Sequence, residues 1–188
     1  MISHTNSRFL TPTYIAIVLF IAFCIALQTW AGQLYYYQPI ALTHFWRGFT
    51  GHFVHANYTH LALNMAGVAL IPWLFPRANI RVLLVGVGCL PVWISVCFYL
   101  SPLTDPNLAY VGFSGVLHGL YIAIPLYLWR TSQHNAWDIL IGVVIIVKVS
   151  TDAVFGNISA TLLHANGYLP AHVFGLCGGV LLGLLLPC

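Results

Sequence analysis

Between Tyr110 and Tyr121 the chain reads YVGFSGVLHGLY, with Ser114 set between Gly112 and Gly115 and His118 four residues further on. A hydroxyl in an apolar segment needs only a backbone carbonyl to satisfy it, whereas flanking glycines clear space for something to approach. A serine hydroxyl becomes a useful nucleophile once a base takes its proton, and histidine suits that task near neutral pH. The candidate base is His172, in PAHVFGLCGGVLLG, where His172, Gly175, Gly179 and Gly183 share one helical stripe. Attack on a carbonyl produces an oxyanion, which needs donors already in place. His60 and Asn64, four residues apart in HANYTHLALNMAG, can supply two. The backbone N–H of Ser114, at the start of a helix, can supply a third. No carboxylate is well placed for a Ser-His-Asp triad: Asp105 lies in a loop, Asp138 on the inner side and Asp152 on the fifth apolar segment. The pattern favours a Ser114–His172 dyad whose imidazole is held by packing.

The elements that must position these groups are expected to lie in a membrane. The 188 residues are 60% hydrophobic and 5% charged, with three acids, all aspartate. A globular surface usually draws on about a quarter charged residues. Apolar residues fall in six blocks: Tyr14–Trp30, Tyr58–Phe75, Val82–Leu100, Gly112–Trp129, Trp137–Phe155 and Leu169–Pro187. Each is close to the roughly 20 residues a helix needs to cross hydrocarbon. The expected fold is all-α: one polytopic six-helix membrane domain over residues 1–188, with short loops and a short cytoplasmic tail at 1–12. A cleaved signal peptide is disfavoured, because LQTWAG is a poor small-residue cleavage site. Arg8, Arg77, Arg81 and Arg130 fall on one side of this arrangement, against Arg47 and Asp105 on the other, which places both termini in the cytoplasm.

With that topology, the second, fourth and sixth segments all run inwards and carry their polar groups near the outer start. Polar side chains in spanning segments are costly and face a bundle interior or wet cavity. Gly-xxx-Gly runs let helix backbones approach closely. A tight crossing of the fourth and sixth segments would bring the Ser114 hydroxyl to His172. The plainer alternative is that the glycines only pack helices and Ser114 bonds its own backbone.

His52, His55 and His60 cluster, but an HExxH metal site is excluded in a chain without glutamate. His52 and His55 are expected at the wet interface, and neither a metal nor another cofactor is expected. Five cysteines, Cys24, Cys89, Cys97, Cys177 and Cys188, show no CxxC or Cys–His spacing and read as small packing residues. The sequons at Asn57 and Asn157 sit too close to membrane segments to be persuasive glycosylation sites.

Taken together, Gly112-x-Ser114-Gly115, His60-x-x-x-Asn64 and Ala171-His172-x-x-Gly175-x-x-x-Gly179 resemble the rhomboid intramembrane serine proteases, as does Trp46-Arg47 in the first loop. The pattern spans Phe45 to Gly183. The resemblance implies nucleophile Ser114, base His172 and oxyanion donors His60 and Asn64. Where many rhomboids have a tyrosine four residues after the serine, packed on the catalytic histidine, this chain has His118. That histidine either orients His172 or fills the tyrosine's space. GFSGVLHGL and the minimal length are most similar to the rhombosortase branch. That branch implies cleavage of bacterial C-terminal tails built from a Gly-Gly motif, a hydrophobic helix and a basic end, at the inner membrane with the site opening outwards. Water can release the acyl-enzyme, or an amine can take the acyl group. A transmembrane protein substrate and the lipid bilayer are the implied partners, and no nucleic acid is.

Lys148 and Asp152, four residues apart, read as a local ion pair, with substrate gating by the fifth segment as the alternative. Two rival functions remain: a catalytically inactive rhomboid-like protein that binds helices, and a proton conduit using Lys148, Asp152 and the histidines.

Overall fold

The computed structural model describes residues 12–156 and 167–187; the Asn157 sequon, Arg8 and Cys188 lie outside them. Helix α1 (Pro12–Leu27) passes through a 3-10 turn at Gln28–Trp30 into the single turn α2 (Ala31–Leu34). The turn falls where the apolar run meets Gln28. The Gln28 amide spends both its groups on the backbone of His55: its oxygen accepts from His55 N at 3.0 Å and its nitrogen donates to His55 O. One side chain thus holds a distant loop as a strand would.

The connection after α2 is not the short loop expected from the sequence. It folds, because strand β1 (Tyr36–Tyr37) pairs antiparallel with strand β2 (Ala109–Tyr110), Tyr36 opposite Tyr110. A one-turn helix α3 (Arg47–Thr50) follows, and Phe53 and Val54 beyond it are buried. Burial of those apolar side chains outweighs the entropy of ordering the connection.

Three of the remaining long helices begin where a side chain takes an orphaned N–H group of the first turn. Asn57 starts α4 (Tyr58–Leu74), accepting from His60 N at 2.7 Å. Asn79 starts α5 (Ile80–Leu100), accepting from Arg81 N at 2.9 Å. Asn135 and Asp138 form a reciprocal capping box on α7 (Ala136–Phe155). Helices α6 (Ser114–Arg130) and α8 (Leu169–Leu185) have no side-chain cap.

Helix α6 is the axis of the bundle. Most of its residues are buried, and it packs against α4, α5, α7 and, most extensively, α8. Trp93 on α5 donates its indole N–H to Phe174 O on α8 at 2.9 Å, and Tyr121 on α6 donates to Gly67 O on α4 at 2.9 Å. At the far end from Ser114, Arg130 donates to Gly183 O at 3.2 Å and Leu186 O at 3.0 Å, satisfying carbonyls at the α8 C-terminus. Arg77 pairs with buried Asp138 at 3.0 Å, tying the α4–α5 turn to α7.

The long helices occupy the six apolar blocks expected. Among the described residues, two stretches, Pro12–Leu34 and Ile80–Leu100, are long and apolar enough on their own to cross a membrane. The 17 residues each of α4, α6 and α8 rise only about 25 Å. Helix α7 carries Asp138, Lys148 and Asp152 within its apolar run.

Candidate functional site

The contact of α6 with α8 is made by missing side chains. A Cβ on Gly115 would lie 2.8 Å from Ala171 O, one on Gly119 would lie 2.8 Å from Gly175 O, and one on Gly183 would lie 2.8 Å from Ala123 O. On Gly175 and Gly179 a Cβ would fall onto the carbonyl oxygens of Gly115 and Gly119. The partners advance together along both helices, so α6 and α8 run parallel with their N-terminal ends level. Backbones this close replace side-chain packing with direct contact of peptide groups.

At those level ends the Ser114 hydroxyl meets the His172 ring, Oγ to Nε2 at 3.1 Å. For Nε2 to accept the hydroxyl proton, the imidazole proton must sit on Nδ1. His172 is 3% exposed, and its Nδ1 has no hydrogen-bond partner among the described residues. None of the three aspartates serves it: Asp138 is held by Arg77, Asp105 accepts from Asn107 N at 2.8 Å, and Asp152 pairs with Lys148.

His118 is one turn below Ser114. Its ring stacks on that of His172, centroids 4.2 Å apart and planes 22° from parallel. Its Nδ1 lies 2.7 Å from Ser114 O and its Nε2 lies 3.2 Å from Lys148 Nζ.

The approach to Ser114 is shaped by Gly112, which has φ +122°, a conformation side chains rarely adopt. Space demands glycine there as well: a Cβ would meet His60 Nε2 at 2.8 Å and Asn64 Nδ2 at 3.7 Å. The His60 and Asn64 side chains of α4 therefore converge on the backbone just before Ser114. His60 Nδ1 and Asn64 Nδ2 are buried and have no partner among the described residues. The Gly112 loop is held from both sides, its N–H donating to Gly51 O at 3.1 Å and its carbonyl accepting from Tyr110 Oη at 2.8 Å. Ser114, His172, His60, Asn64, His118, Gly112 and Gly115 are thus gathered at one end of the bundle, with Gly175 and then Gly179 further along the α6–α8 contact.

His52 and His55 are not at a wet interface. Their exposures are 0% and 1%, because the folded first connection covers them. Burial pushes both imidazoles down to about 3, with nearby His60 adding to the effect on His55. Both rings are therefore neutral at pH 7. Ser95 Oγ donates to Gly48 O at 2.5 Å, so it accepts from His52 Nε2 at 3.1 Å. The His55 ring stands edge-on to His60 at 5.1 Å. These two histidines thus brace the loop and the His60 ring. Gln28, Ser95 and Tyr110 hold the surroundings of the site but are inconspicuous in sequence; only Tyr110, two residues before Gly112, is near a motif. Among the described residues no group of three or more His, Cys, Asp or Glu is arranged to hold a metal ion. Cys24, Cys89, Cys97 and Cys177 are free thiols.

Residues 42–187 match the Rhomboid domain family. The chain is also similar to "Putative rhomboid protease YdcA" of Bacillus subtilis (strain 168), 30% identical over 152 residues, covering 80% of this chain and 71% of that protein. The matched range holds α3, the glycine-stripped helix pair and every residue gathered around Ser114. On that extent of agreement, the chain belongs to the rhomboid family.

Proposed function

We propose that the protein is an intramembrane serine endopeptidase that cuts a transmembrane substrate near the outer membrane face. The observation that carries this reading is the 3.1 Å approach of Ser114 Oγ to His172 Nε2 across the α6–α8 contact. In the proposed reaction Ser114 Oγ attacks the scissile carbonyl carbon as its proton passes to His172 Nε2. The oxyanion is met by His60, Asn64 and the Ser114 N–H at the start of α6. As the C–N bond breaks, His172 returns the proton to the leaving amine. Water, or an amine, then attacks the ester, giving up its proton through His172 and freeing Ser114.

Six helices span the bilayer in this reading, with both termini cytoplasmic and the site opening on the periplasmic side of a bacterial inner membrane. The short α4, α6 and α8 suit it, because a site at their N-terminal ends lies close to water while remaining in contact with lipid. A substrate helix hides its peptide bonds in its own hydrogen-bond ladder and must unwind to expose a carbonyl. Glycine lowers that cost by roughly 0.5–1 kcal/mol per residue. A Gly-Gly motif before a hydrophobic helix and a basic end is therefore the substrate class proposed, in line with the rhombosortase resemblance. Co-expression with a reporter ending in such a tail tests it. The wild type should release the reporter, whereas Ser114→Ala and His172→Ala should leave it full-length at unchanged enzyme levels. Release by Ser114→Ala would refute the reading.

A further inference from the structure

His118 does more than fill space beside His172, because both of its ring nitrogens are committed. Ser114 O has only lone pairs to offer, so the His118 Nδ1 lying 2.7 Å from it must carry the proton and donate. The Nε2 lone pair then faces the Lys148 ammonium, which donates to it at 3.2 Å. Lys148 lies 2.8 Å from the carboxylate of Asp152, one turn along α7, which is 4% exposed. An ordered line therefore runs from Asp152 through Lys148 and His118 to the face of His172.

We propose that Lys148, paired with Asp152, is a positioning residue for the His172 imidazole and acts through His118. The inference rests on the Ser114–His172 reading above. With its lone pair given to Lys148, the His118 ring cannot take a proton at Nε2 without breaking that bond. It therefore stays neutral and presents a π-face, not a second cation, to the imidazolium that forms on His172 during acylation. Asp152, 2.8 Å from Lys148, offsets part of the lysine charge. Because the line crosses from α7 to α6, separation of those helices breaks it.

The test is a double-mutant cycle read by fluorophosphonate labelling of Ser114 in the full chain in detergent. Lys148→Met together with Asp152→Asn removes the pair without stranding a buried carboxylate. That change should lower the maximal labelling rate about tenfold in the His118 protein and under about twofold in a His118→Phe background, the coupling expected of groups acting in one line. The half-saturating probe concentration should stay the same, and Lys148→Arg should recover most of the rate. Equal slowing in both backgrounds, or none in either, overturns the inference. If wild-type Ser114 is not labelled at all, the dyad reading fails and this one with it. Should the variants not fold, histidine side-chain nitrogen NMR of the wild type decides. His118 must carry its proton on Nδ1 alone, and a proton on Nε2 overturns the proposal.

Discussion

Gly175 on α8 leaves no room for a methyl group against the carbonyl of Gly115 on α6. The distance between Ser114 and His172 depends on this contact, because each residue sits next to one of these glycines along its own helix. Ser114 immediately precedes Gly115, and His172 lies three residues before Gly175. Separation of the backbones by even one methyl radius would carry the imidazole away from the hydroxyl.

Gly175→Ala should therefore fold yet lose activity. Overpacking of this kind costs about 1–3 kcal/mol in stability, and a displacement near 1 Å at a reacting centre costs roughly 10² in rate. Melting temperature and Ser114 labelling rate, measured together, check this. Labelling at the wild-type rate would mean that the glycine contact does not set the dyad distance.

Asn64 is expected to act on the transition state and not on binding. Asn64→Ala should lower kcat by roughly 10²–10³, the usual effect of removing one oxyanion donor. KM for a transmembrane reporter should remain close to the wild-type value. A raised KM with normal kcat would instead make Asn64 a substrate contact.

The buried histidines of the first connection predict an acid-sensitive fold. His52 and His55 are held near 3 in the folded protein, against 6.5 ordinarily, mainly by burial. Between those values the unfolded chain binds the extra protons, so acid favours unfolding. The melting temperature of the solubilised protein should be level above pH 7 and fall progressively as pH drops below about 6.5. His52→Gln, which keeps a donor for Ser95, should make that decline shallower. A melting temperature unchanged from pH 7 to about 4 would contradict the burial of these rings in solution.

What the sequence made legible was local. A serine between glycines, a histidine heading a Gly-xxx-Gly stripe and a His-x-x-x-Asn pair each repeat at helical spacing within one segment, so period alone puts their members on a face. The apolar blocks foretold the helices to within a few residues. The pairing of Tyr36 with Tyr110 was not legible, since strands of two residues leave no pattern and their partners are far apart in the chain. The same distance hid the burial of His52, whose partner Ser95 belongs to another helix. Lys148 and Asp152 were visible as a pair at helical spacing. Their reach to His118 depends on how α7 lies against α6, which no single segment encodes.

In the proposed reaction the Ser114 hydroxyl is made nucleophilic by the His172 ring, whose Nε2 lies 3.1 Å away. The most direct measurement is covalent labelling of the purified protein with a fluorophosphonate probe, with the modified residue located by mass spectrometry. A single adduct is expected on Ser114, and it should disappear in His172→Ala while that variant keeps its melting transition. An unlabelled Ser114 in the folded wild type, or equal labelling without the His172 imidazole, would contradict it.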